Sequence, residues 1–182
     1  MKKKVAVASV MVLLIAVSIT LADGGFKRIR EFLKGYEEVP AVSTVAEGEF
    51  RARISNDESQ IQWELSYSDL ESAVQQAHIH LGQKDVNGGI SVFLCTNLGN
   101  GPVGTQPCPP SPATISGTIM AADVSPNIPA TLAARNQGLN TGELDELIRA
   151  IRAGKTYVNV HTTDRPGGEI RSQINTGEGH GH

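Results

Sequence analysis

The chain has 182 residues, of which 16 are basic and 19 acidic, giving a formal charge of -3. That length suits one domain with a real core, and an acidic balance argues against a nucleic-acid binder, which needs a basic face for phosphates. The only two cysteines do not form a CxxC pair, so thiol redox chemistry is a poor candidate for the function.

Residues 1–22, MKKKVAVASVMVLLIAVSITLA, open with three lysines, run through an apolar stretch and end on small residues at alternate positions, the pattern of a secretory signal cleaved after Ala22. The apolar run falls short of the roughly 18 to 20 residues of a spanning helix, so retention as an anchor is the lesser alternative. Without Lys2, Lys3 and Lys4 the chain keeps 13 basic against 19 acidic side chains. Residues 23–31 read as a linker, 32–174 as the folded domain and 175–182, which lack an apolar side chain, as a disordered polar tail.

Within the domain, residues 47–55 alternate, with Phe50, Ala52 and Ile54 on one row and Glu49, Arg51 and Arg53 on the other, which predicts a half-buried strand. Residues 56–59 supply turn chemistry, and 60–66 resume the period of two through Ile61, Trp63 and Leu65. Residues 75–81 put Ala77, Ile79 and Leu81 on a core row and Gln76, His78 and His80 on a polar one; a tight turn at Asn87-Gly88, where positive φ is expected, leads into strand 90–94. Cys95 and Cys108 bracket a loop rich in glycine and proline. In an exported chain they are expected to pair, a closure worth about 3 kcal/mol, two separate buried thiols being the alternative.

Residues 113–120 read as another strand. Leu144, Leu147, Ile148 and Ile151 recur at helical spacing across 143–153, with Asn140 as the expected N-terminal cap and Gly154 as the stop. Strand 155–162 carries Val158 and Val160 on the core row and Tyr157, Asn159 and His161 on the other, and 169–174 returns after the turn at 164–168. About seven short strands with one late helix predict an all-β fold, an antiparallel Greek-key or immunoglobulin-like β-sandwich or barrel with one inserted amphipathic helix. Glu37-Glu38 and Asp145-Glu146 read as solvated faces or helix-start electrostatics.

Tyr36-Glu37-Glu38-Val39-Pro40 with Thr44 and Gly48, then AHIHLG at 77–82, Ala153-Gly154-Lys155, YVNVHT at 157–162 and PGGEIRSQI at 166–174 together resemble the CHRD domain, named after chordin and found also in bacterial secreted proteins. The resemblance runs over about 32–174. It implies an extracytoplasmic β module, secreted or periplasmic, whose protein or small ligand it does not identify, and it implies little about chemistry.

Two histidines at i and i+2 of a strand share a face, and His161 lies on the polar row of a compatible strand. If those strands pair, His78, His80 and His161 converge, and three imidazoles suit copper or zinc with a position left open. In that case Glu169 is placed to orient an imidazole and Arg171 to attract an anion. The same residues resemble the ligand set of copper-zinc superoxide dismutases, which are Greek-key β proteins with an HxH pair, a later strand histidine and an arginine that steers superoxide. The chain departs from them in having neither a bridging fourth histidine in the domain nor a zinc cluster, so any copper would be mononuclear. The alternative is a structural polar cluster in which the rings only satisfy buried backbone groups.

Overall fold

A computed structural model describes residues 28–176; the expected signal segment and most of the expected tail lie outside them. Eight strands form one antiparallel sheet: β1 (Arg28–Lys34), β2 (Glu47–Ile54), β3 (Ile61–Ser68), β4 (Val74–Leu81), β5 (Gly89–Thr96), β6 (Ala113–Ile119), β7 (Thr156–Thr162) and β8 (Ile170–Ile174). Their order is β5-β4-β7-β8-β1-β2-β3-β6, a nearly closed barrel.

The sheet's two end strands, β5 and β6, are stitched by the loop between them. Gln106 accepts a backbone bond from Thr96, and its side-chain amide donates to the carbonyls of Leu94 on β5 and Ser116 on β6. The Cys95–Cys108 disulfide anchors that loop, as its glycine and proline content requires. Edge groups that would otherwise offer a template for aggregation are thereby satisfied within the chain.

β1 is a strand that residue alternation did not predict, and it takes residues 28–31 out of the expected linker. Its burial does alternate, with Ile29 and Leu33 inside, but Glu31 interrupts the inner row and Phe32 places an aromatic ring on the outer one. The period-two pattern is broken twice in seven residues, which hides it.

The helix predicted over 143–153 is α2 (Leu144–Arg152), and its four apolar side chains all enter the barrel core, each contributing about 1.5–3 kcal/mol. Its cap differs from expectation. Glu143 occupies the N-cap position, and its carboxylate reaches back to accept from the Asn140 backbone N–H at 2.7 Å. At the other end Gly154 takes φ +63, and the bonds Gly154 N to Ile151 O and Lys155 N to Ala150 O close a Schellman motif. A 3-10 turn (Pro129–Thr131) running into α1 (Leu132–Asn136) is a second, short insertion that lacks an apolar stripe long enough to read from sequence.

Candidate metal centre

β4 and β7 are second and third in the sheet order and pair antiparallel, with His78 opposite Asn159, His80 opposite Tyr157 and Gln76 opposite His161. Both histidine rows therefore share one face, as the alternation predicts. That face is not an exposed polar surface. β7 is buried on both faces along its whole length, and His78, His80 and His161 are 0%, 7% and 5% exposed.

Three connections fold over the face and make it a second, polar core. From the β4–β5 connection, the carbonyl of Val86 and the side chain of Asn87 bind Arg171 at 2.9 and 3.1 Å. The Asn87 amide in turn donates to Val39 O in the connection after β1. From the β7–β8 turn, Gly168 lies directly against Glu38. The left-handed residue of the β4–β5 turn is Asp85, with φ 64, and not Asn87 or Gly88 as expected. Gly88 is required for another reason: a β carbon there would lie 1.7 Å from Leu81 O.

The hydrogen bonds assign a tautomer to each ring. His80 Nδ1–H donates to Gly88 O and His161 Nδ1–H to Pro166 O, each at 2.9 Å. His161 Nε2 therefore carries a lone pair, which accepts from His78 Nδ1–H at 3.2 Å; Asn159 Oδ1, itself an acceptor, lies 3.1 Å from the same nitrogen and does not bond to it in this tautomer. The Nε2 atoms of His78 and His80 are buried with no hydrogen-bond partner among the described residues.

Burial holds all three rings neutral. It keeps His78 well below the ordinary histidine value, aided by the neighbouring His161 and His80. It lowers His80 to about 3 against the pull of the Gly88 carbonyl, and lowers His161 against that of Pro166. Neutral imidazole is the ligand form of histidine.

The geometry allows one ion. Ligand nitrogens, one from each ring, lie within 4.8 Å of one another. Two nitrogens bound to one tetrahedral ion at about 2.0–2.1 Å sit roughly 3.3 Å apart, so the rings must rotate to close the set, and the ion would displace or bypass the His78 Nδ1–His161 Nε2 hydrogen bond. Two register shifts in the β4–β5 pairing flank the motif, one between Ala77 and His78 and one between Ile79 and His80. Such irregularities re-aim side chains beside functional sites.

Glu169 and Arg171 do not take the parts expected of them. The Glu169 carboxylate is occupied by the hydroxyls of Thr44 and Thr162 and by the backbone N–H of Glu71. Imidazole orientation falls instead to the carbonyls of Gly88 and Pro166, which carry no side-chain signature in the sequence. Arg171 is 2% exposed, lies 3.4 Å over the Tyr157 ring and binds the 83–87 segment, so it does not face solvent to steer an anion.

Several neighbours escaped the sequence reading. Tyr157 stacks on His80 with centroids 4.6 Å apart and planes 6° from parallel, and Phe93 meets His78 edge-on at 4.4 Å. Glu38, expected to be solvated, is buried; burial raises its carboxyl to about 7, while Arg171, the Val39 backbone and the Asn159 amide act in the other direction. Nothing in Glu37-Glu38-Val39-Pro40 separates the two acids by sequence, yet Glu37 stays exposed and its neighbour turns inward.

A family model described as the CHRD domain matches residues 31–174, nearly the whole described chain. No curated protein and no solved structure matches.

Proposed function

This chain belongs to the CHRD domain family, and we propose that it is an extracytoplasmic β-barrel binding module that holds one copper or zinc ion on His78, His80 and His161. Export uses residues 1–22 as a signal removed after Ala22. No helix among the described residues is long and apolar enough to cross a membrane.

The observation that carries the metal reading is the pair of unpartnered buried nitrogens, Nε2 of His78 and of His80, in a cluster of three neutral imidazoles. A cluster built only to hold backbone would satisfy its own polar atoms, because an orphaned buried acceptor costs about 1–3 kcal/mol. A metal ion removes that cost, and the carbonyls of Gly88 and Pro166 are the outer partners that fix ligand imidazoles in metal sites.

When bound, the ion supplies cross-linking of β4 to β7. Dismutase-like turnover is the weaker reading, since it needs an open position and an exposed steering cation, whereas the rings and Arg171 are buried. Calorimetric titration of the full-length chain with copper and with zinc tests the proposal. One site per chain is expected, lost in His80→Ala with the β spectrum retained; a chain that takes up no ion, or takes it up equally in His80→Ala, refutes it.

A further inference from the structure

The surroundings of the triad bear on the charge of the ion it accepts. Among the described residues the only side chains gathered within 4.8 Å as a ligand group are the three histidines, all neutral, with no carboxylate or thiolate among them. Two of the walls are aromatic, Phe93 against His78 and Tyr157 against His80. A buried cation is already present: Arg171 lies over the Tyr157 ring that stacks on His80. Of the two buried acids nearby, Glu169 has both oxygens occupied by Thr44, Thr162 and Glu71, and Glu38 is paired in charge with Arg171 and bonded to Asn159, with its Oε1 left unpartnered.

The cost of moving an ion out of water grows with the square of its charge, so a divalent ion suffers about four times the desolvation of a monovalent one of similar size. Anionic ligands offset that cost by neutralisation, and water or a carboxylate commonly completes the shell of a divalent ion. This site provides neutral nitrogens and aromatic walls, with the Arg171 charge beside it balanced by Glu38. Monovalent copper is satisfied by a linear or trigonal set of nitrogens, and bonds of about 2 Å in a trigonal set put the nitrogens roughly 3.5 Å apart. The candidate ligand nitrogens here, one from each ring, lie within 4.8 Å of one another, so ring rotation of about an ångström brings them to that spacing.

Resting on the triad being the metal site, we propose that it selects Cu(I) over Zn(II) and Cu(II). Selectivity comes from the low charge the cavity tolerates and from its ready-made trigonal set of neutral ligands. Introducing a carboxylate at Asn159, which touches His161 and lies opposite His78, should narrow it.

The test is anaerobic competition for Cu(I) between bicinchoninate and the full-length chain carrying His180→Ala and His182→Ala, which silence the tail. Parallel titrations use Zn(II) with a chromophoric chelator and Cu(II). One Cu(I) is expected, bound about a hundredfold more tightly than either divalent ion, with a copper-edge absorption spectrum of low-coordinate Cu(I)–nitrogen ligation. Asn159→Asp is expected to raise divalent affinity about tenfold or more while changing that for Cu(I) little. A divalent ion held at the triad as tightly as Cu(I) overturns the selectivity and leaves the metal site standing. Failure to bind any of the three ions overturns both.

Discussion

Acidification probes whether the triad is a dry, neutral cluster. In the unfolded chain the three imidazoles titrate near 6.5, whereas in the folded chain burial holds His78 and His161 lower and His80 at about 3. Below pH 6.5 the unfolded state takes up protons that the native state refuses. Histidine-linked stability is therefore complete above pH 6.5 and is lost as pH falls, by about 1.4 kcal/mol per pH unit for each of His78 and His80, or about 2.7 for the two, with His161 adding in the same direction. Glu38 has the opposite sign. Its carboxyl is raised from 4.5 to about 7, so between those values the native state holds the extra proton, and the group adds about 1.4 kcal/mol per unit as pH falls. The net loss between pH 6.5 and 4.5 is then at least about 1.4 kcal/mol per pH unit, a sizeable part of a typical domain's 5–15 kcal/mol. Urea unfolding at stepped pH reads it through the single, buried Trp63. Glu38→Gln should steepen the loss by about 1.4 kcal/mol per unit. Stability that stays level from pH 7 to 5, or an unchanged slope in Glu38→Gln, would refute neutral burial of the rings and the opposing role of Glu38.

Replacing Cys95 and Cys108 by serine should cost about 3 kcal/mol in urea unfolding, since the disulfide spans a sequence separation of 13; a loss below about 1 kcal/mol would mean that Gln106 and its neighbours hold the seam alone. Tyr157→Phe removes the hydroxyl that accepts from Gly88 N–H at 3.1 Å and should cost about 1 kcal/mol, with thermal unfolding as the measurement. Gly88→Ala drives a β carbon against Leu81 O; the turn and the Gly88 carbonyl on His80 should both shift, lowering the melting temperature and displacing the His80 Nδ1 resonance in NMR spectra. Zinc or copper at a hundred times its dissociation constant should stabilise the native chain by about 2.7 kcal/mol and leave His80→Ala unmoved.

The parts legible in the sequence were those governed by local period. Ala77, Ile79, Val158 and Val160 mark their core rows by strict alternation, which put His78, His80 and His161 on one shared face before any pairing was known. What alternation cannot show is the far side of that face. The outer row of β7 is polar in composition and buried in fact, because three connections, two of them distant in sequence, close over it, and each contributes through backbone carbonyls or one side chain. Glu38 and Arg171 look like surface residues for the same reason: a charge pair 133 positions apart has no local signature. β1 was hidden by Glu31 and Phe32 sitting on the wrong rows, and the Glu143 cap by a side chain that reaches backwards to Asn140.

The most direct measurement of the central claim is native mass spectrometry of the full-length chain, with His180 and His182 replaced by alanine, after one equivalent each of copper and zinc. The account predicts a single retained ion per chain that disappears on His78→Ala, His80→Ala or His161→Ala. An apo mass under all conditions, or an ion that survives all three substitutions, would contradict it.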